Sequence, residues 1–386
     1  MSASTVNNLN DPSQQAFEPL DVMFDRIDER FFAQVADLRL MPEWTPPAGP
    51  DGGHFLNPRD GGSMEFKQHR GYAPGDDVRR VDWAVYGRTK KLFTRMVEAE
   101  HTPELVIAID RSASMEADKA GGKFGRALEL ALLMAYVALN SDYQVQLVPF
   151  GPSPSEEVGQ SIRLVHPSQI FGLAKSRLLN WRPEGQTNFE QLGDQSLRWR
   201  RAGASVVVLS DFLIDVDDEA ISHGPQNPSW FRPLAVQNAA FAEARHGAQQ
   251  RILASLSRLH QAFTPLKTPN VRAVLLSMTG AGETSLATAR SIFDVETGFL
   301  RRVLFTRASE QAYQAAHRAH SIAMDELAKD LGLAHVNAAE LINRSNNGME
   351  AAEPLLDQGD RELIERIILG LTLGPHGIQS VNGGNE

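Results

Sequence analysis

The sequence predicts an α/β fold, a doubly wound and mostly parallel sheet flanked by helices. Three observations lead there. The apolar runs 105–109 and 206–209 are short, rich in Val, Ile and Leu, and end in polar residues, as buried parallel strands do. Helical periodicity fills the intervals between such runs, most plainly over 124–139, and strands alternating with helices imply right-handed crossovers. Asp110 and Asp211, which follow two of the runs, then fall in the crevice outside the strand carboxyl ends, where α/β sheets hold ligands.

The elements follow in order. Residues 1–60 form an N-terminal helical segment and linker: apolar residues at three- and four-residue steps from Pro12 to Leu40 predict an amphipathic helix or helix pair. Pro42, Pro46, Pro47, Pro50 and Gly52-Gly53 then punctuate the chain. Residues 61–103 are dense in charges of both signs. Pro74-Gly75 fits a type II turn, Asp76 or Asp77 caps a helical turn over 78–83, and 91–97 reads as a strand.

Residues 104–345 form the main domain. Its strands are expected at 105–109, 145–150, 162–165, 206–209, 271–277 and 334–336. Helices are expected at 124–139, 168–179, 189–200, 235–262 and 309–331, with a hairpin over 291–305 around Glu296-Thr297-Gly298. Residues 346–386 supply a C-terminal helix and a mobile tail rich in Gly and Asn. The core thus carries an N-terminal helical and β extension and a C-terminal hairpin-helix appendage.

Composition narrows the function. A chain of 386 residues buries a sizeable core, and 42% hydrophobic with 22% charged residues is ordinary for a globular protein. A net charge of −10 argues against nucleic-acid binding. The absence of cysteine removes disulfides, thiolate metal sites and cysteine nucleophiles. No apolar stretch approaches the ~20 residues of a membrane span, and the first residues lack a secretory pattern, so a cytoplasmic location is expected.

The richest constellation is Asp110, Ser112 and Ser114 after the first strand, Thr187 in Gly185-Gln186-Thr187-Asn188, and Asp211 after the 206–209 strand. Two carboxylates and three hydroxyls are hard oxygen donors suited to Mg²⁺, with Mn²⁺ or Ca²⁺ as alternatives. The structural alternative makes Ser112 and Ser114 helix caps. Other candidates are weaker. Asp215, Asp217, Asp218 and Glu219 lack the spacing of a calcium loop, and His317 with His320 would need further ligands to hold zinc. Gly121-Gly122-Lys123 is not a phosphate loop. There is no G-x-S-x-G elbow, so the sequence gives no support to a serine hydrolase.

The five cation residues resemble the metal-ion-dependent adhesion site of von Willebrand factor A-type domains over about residues 104–280. Upstream, Glu65-Phe66, Arg70, Tyr72, Asp76, Asp77, Arg79, Arg80, Asp82, Trp83 and Arg88 resemble the signature of the bacterial family catalogued as domain of unknown function 58. With the 293–298 hairpin, that resemblance spans about residues 60–345. It implies a von Willebrand A-like core and kinship with proteins working beside MoxR-type AAA+ ATPases in complex assembly. The signature residues read either as an interface or, preferably, as a buried ion-pair network anchored by Trp83.

The expected function is a non-enzymatic, cation-dependent interaction module whose partner completes the metal with an acidic side chain. A metal-dependent phosphoesterase is the rival, weakened because no Lys or His is evident near the three strand ends. A structural domain with a degenerate metal site is the third reading.

Overall fold

The structure is a computed structural model. It describes residues 24, 27–41, 64–73, 78–99, 102–116, 122–151, 160–202, 204–213, 242–268, 271–279, 291–293, 300–302, 307–338 and 358–373. The Pro/Gly linker, the Pro74-Gly75 turn with Asp76 and Asp77, the 215–219 acidic stretch, Gly121, the 294–299 hairpin turn and the tail lie outside the described residues. The chain forms two compact units, one of Met1–Glu43 with Pro103–Glu386 and one of Trp44–Thr102.

The first element, α1 (Glu29–Ala33), is capped by Asp28, whose carboxylate accepts from the backbone N–H groups of Arg30 and Phe31. Phe32, Val35 and Leu40 around it are buried in the larger unit's core. Within the smaller unit, β1 (Met64–Gly71) runs antiparallel to β2 (Phe93–Ala99), with a register shift between Phe66 and Gln68. The sequence reading placed a strand near β2 but none at β1. Its run MEFKQHRG shows no sustained alternation, and the pairing partner supplies the order that the pattern does not. Between the strands lies α2 (Trp83–Thr89), preceded by a 3₁₀ turn at Val78–Arg80.

The larger unit holds a six-stranded sheet. In chain order come β3 (Glu104–Asp110), α3 (Gly122–Leu139), β4 (Gln144–Phe150) and β5 (Ile162–Leu164). A π-turn at Ile170–Ala174 leads into α4 (Lys175–Leu178), followed by α5 (Glu190–Ala202) and β6 (Ser205–Ser210). Then come α6 (Ala242–Phe263), β7 (Arg272–Ser277), the hairpin strands β8 (Ser291–Phe293) and β9 (Leu300–Arg302), and α7 (Arg307–Leu331). The strand β10 (Ala334–Asn337) and the helix α8 (Gln358–Leu373) complete the set. Each expected core strand is present with ends shifted by one or two residues, and the expected C-terminal helix is α8.

The sheet order is β10-β7-β6-β3-β4-β5, parallel throughout except that β5 runs antiparallel to β4. Both faces are covered. Leu105, Ile107 and Ile109 of β3 join one apolar cluster with Leu128, Leu132 and Ile364, whereas Val106 and Ala108 join another with Leu192, Leu259 and Leu327. This alternation is the period of two along a strand, apolar on both sides because helices close both faces. The chain leaves β3 for β4 on one side and later returns to β6 on the other. The strand order therefore reverses at β3 and β6, and Asp110 and Asp211 stand at the carboxyl ends of those two strands.

Candidate cation site at the β3 and β6 strand ends

Backbone hydrogen bonds bring the three sequence stretches together. Glu184 N–H donates to the Arg111 carbonyl at 2.8 Å, and Ala113 N–H donates to the Gly185 carbonyl at 2.9 Å, so the Thr187 loop is stitched to the end of β3. Gly185 holds φ +61°, the left-handed region where glycine has no steric cost. Beside it, Arg111 N–H donates to the Phe150 carbonyl at 2.9 Å.

Asp110 is fully buried and both of its oxygens are engaged. Oδ1 accepts from Ser112 N–H at 2.8 Å, and Oδ2 accepts from the Ser210 hydroxyl at 2.5 Å. The Ser112 and Ser114 hydroxyls lie 3.0 Å apart. Ser112 stands just before a 3₁₀ turn at Ala113–Glu116, with Met115 N–H donating to its carbonyl at 3.0 Å. Ser114 and Thr187 are half-buried, and the Thr187 Oγ1 is buried without a hydrogen-bond partner.

Asp211 Oδ1 accepts from Leu213 N–H at 3.2 Å, and its Oδ2 accepts from the Lys123 ammonium at 2.7 Å. Both members of that ion pair are almost completely buried, with side-chain exposures of 1% and 2%. Sequence reasoning missed Lys123 as a site residue. The available signal was a lysine in the first turn of a largely apolar helix, and the expectation that no lysine approaches the strand ends is corrected here. Next to Asp211, Phe212 is buried with φ +53°, a strained conformation for a bulky residue and one that concentrates at functional sites.

The electrostatics follow from burial. Desolvation, and then the neighbouring Asp211 charge, push the Asp110 carboxyl up to about 7, against the pull of its hydrogen bonds from Ser210 and Ser112. Two carboxylates and one ammonium leave a residual demand for positive charge, and the partnerless Thr187 hydroxyl offers an unused oxygen. Both fit a hard divalent cation. Among the described residues no three His, Cys, Asp or Glu side chains are grouped as metal ligands, so a cation here depends on hydroxyl and water oxygens. His317 and His320 lie on α7 and line a cavity together with Asp211, but no such ligand group includes them among the described residues.

The signature residues belong to the smaller unit. Asp82 is buried and accepts from Ala84 and Val85 N–H at 2.9 and 3.1 Å, capping α2, while its other oxygen meets His69 Nε2 at 2.9 Å. Arg70, Arg79 and Arg88 are exposed, Tyr72 is half-buried, and Arg80 closes the 3₁₀ turn. Trp83 is 58% exposed, stacked edge-on against Tyr86. The expectation of Trp83 as a buried anchor is therefore wrong. Asp82 starts the helix so that Trp83 leaves on its outer side, and α2 buries no residue at all.

Fold and site define an α/β protein with a mostly parallel six-stranded sheet and a pair of buried carboxylates at its switch point. Residues 68–235 match the family described as "Protein of unknown function DUF58". It is 31% identical over 184 residues to the uncharacterized protein Rv1480 of Mycobacterium tuberculosis and equally to its Mycobacterium bovis counterpart Mb1516. The match covers 47% of this chain and 54% of each relative, so the chain spans about half the length of the curated relatives it matches. Among solved structures, an aerotolerance-related membrane protein from Bacteroides fragilis overlays at a TM-score of 0.28 and 13% identity, covering 64% of this chain and all of that one. The pilus adhesin SpaC of Lactobacillus rhamnosus overlays at 0.33 and 14% identity, covering 71% of this chain and 31% of that one. Overlays this weak carry no functional argument.

Proposed function

We propose that the chain is a cation-dependent protein-interaction module with a von Willebrand A-like core. Asp110, Ser112, Ser114, Thr187 and Asp211 would hold a divalent cation, Mg²⁺ in the first place and Mn²⁺ or Ca²⁺ in the second, directly or through water. When bound, the cation supplies an electrophilic position that an acidic side chain of a partner protein completes. Kinship with proteins that act beside MoxR-type AAA+ ATPases makes such an ATPase the partner of choice, in the assembly or maturation of protein complexes.

The observation that carries this reading is the under-compensated pair Asp110 and Asp211 at the β3 and β6 ends, with the partnerless Thr187 hydroxyl on the loop stitched beside them. The protein's own residues do the positioning. Ser210 and the Ser112 amide fix Asp110, the Leu213 amide and Lys123 fix Asp211, Ser114 is half-buried, and the Thr187 Oγ1 is buried without a partner.

Titration calorimetry with MgCl₂ should give one site in the wild type and none in Asp110→Asn, and capture of the ATPase should disappear with chelator. Equal Mg²⁺ binding by wild type and variant sinks the reading. Lys123 beside Asp211 revives a phosphoesterase as the second reading, since a lysine assists phosphoryl chemistry. Asp110, however, is fully buried with both oxygens engaged, which disfavours it as a nucleophile. Turnover of p-nitrophenyl phosphate with Mg²⁺ would favour the enzyme.

A further inference from the structure

A second constellation centres on the carboxyl end of β7. Ser277 is the last residue of β7, His335 lies on the adjacent β10, and Asp325 lies on α7. The Ser277 Oγ is 2.7 Å from His335 Nε2, and His335 Nδ1 is 2.5 Å from Asp325 Oδ1. A carboxylate only accepts, so Nδ1 carries the imidazole proton and Nε2 presents its lone pair to the Ser277 hydroxyl. Ser277 then donates its proton towards the base and keeps its own lone pairs for another atom. This is the nucleophile, base and orienter relation, recognised by geometry and not by chain order.

The serine faces a space for a substrate. Ser277 lines a cavity of about 280 Å³ with Asp211, Thr279, His317, His320 and Asn337, outside the carboxyl ends of β6, β7 and β10. In that wall the buried Nε2 of His320 has no hydrogen-bond partner, while its ring is held by the Phe212 backbone. An unpartnered buried imidazole nitrogen beside an activated hydroxyl points to a polar ligand group.

We propose that Ser277, His335 and Asp325 form a serine-hydrolase relay acting on small, uncharged carboxylic esters. The cavity is at the lower limit of ligand pockets, which selects an acyl group of a few carbons. In its wall Leu213, Met278 and Ala316 supply apolar contact, and Asp211 is already paired with Lys123. Ser277 Oγ bonds to the ester carbonyl carbon as its proton passes to His335 Nε2. The carbon–oxygen bond to the alcohol breaks, and the alcohol leaves with that proton. Water then attacks the acyl-serine, gives its proton to His335, and releases the acid as the Ser277 hydroxyl is restored. None of the three relay residues is a proposed cation ligand, although Asp211 of that site lines the same cavity.

A tagged fluorophosphonate added to the full chain should form one adduct, mapped by peptide mass to Ser277, and the protein should turn over p-nitrophenyl acetate. Ser277→Ala should take up no probe. Asp325→Asn, at an exposed carboxylate whose loss leaves the core intact, should label at least ~100-fold more slowly and retain the wild-type melting profile. An unlabelled wild type, an adduct on another residue, or equal labelling rates in wild type and Asp325→Asn would each overturn the proposal.

Discussion

Lys123 shows how one side chain sets the state of a whole site. Its ammonium is the nearest positive charge to Asp211 and shares that carboxylate with any cation placed there. Removing one partner of a buried ion pair costs about 3–5 kcal/mol, because the other charge is left uncompensated. Lys123→Met should therefore melt well below wild type without metal and recover more stability than wild type when Mg²⁺ is added, read by thermal shift across a Mg²⁺ series. Equal Mg²⁺ response in the two proteins would separate the lysine from cation binding. His320 makes a second statement at this scale. Burial, the largest cause, lowers its pKa from 6.5 to about 4. Between those values the unfolded chain takes up a proton that the native state refuses, so stability is full above pH 6.5 and falls as pH drops towards 4, by about 3 kcal/mol. Urea midpoints at pH 7.5 and pH 5 should differ less in His320→Gln than in wild type.

At the scale of elements, Asp82 joins a helix cap to an ion pair. It caps α2 with two backbone hydrogen bonds and meets His69 of β1 with its second oxygen. Asp82→Ala should loosen α2, costing ~1–2 kcal/mol and raising amide exchange over 83–89, while Asp82→Asn should keep most of the cap. Cap and helix were only half legible in the sequence. The helical turn expected over 78–83 overlaps the 3₁₀ turn at Val78–Arg80, and its expected caps Asp76 and Asp77 lie outside the described residues, whereas α2 with its cap Asp82 was not foreseen. The strand β1 was not legible at all, since a two-stranded ribbon with mixed polar residues carries no alternating signature. The core strands were legible because burial on both faces forces continuous apolar runs.

At the scale of the molecule, the last described helix is part of the core and not an attachment to it. Leu363, Ile364, Ile367 and Leu371 of α8 are buried in the cluster that also contains β3 and α3. Arg126 of α3 pairs with Asp360, and Arg361 forms a two-pronged bond to Asp37, with Nη1 at 2.8 Å from Oδ1 and Nη2 at 2.7 Å from Oδ2. Burying four such apolar side chains contributes about 6–12 kcal/mol, comparable with the whole stability of a domain. A chain ending before residue 358 should lose its cooperative thermal transition. A truncated chain with a wild-type melting curve would show α8 to be dispensable. No helix of the described residues is long and apolar enough to cross a membrane.

The sequence alone determined the parallel sheet and the placing of Asp110 and Asp211 just past two strand ends, because strand burial and strand termination are local properties written in short apolar runs. It also exposed the Ser112 and Ser114 hydroxyls as candidates, since they sit directly after the first of those runs, and Thr187 within a glycine-led polar loop. Tertiary structure decided the rest. Lys123 reaches Asp211 across 88 positions, and Ser277 reaches His335 across 58, through contacts that leave no periodic trace in the chain. A helix packed over a sheet chooses such neighbours by shape and desolvation, and only the folded molecule brings the charges close enough to feel one another.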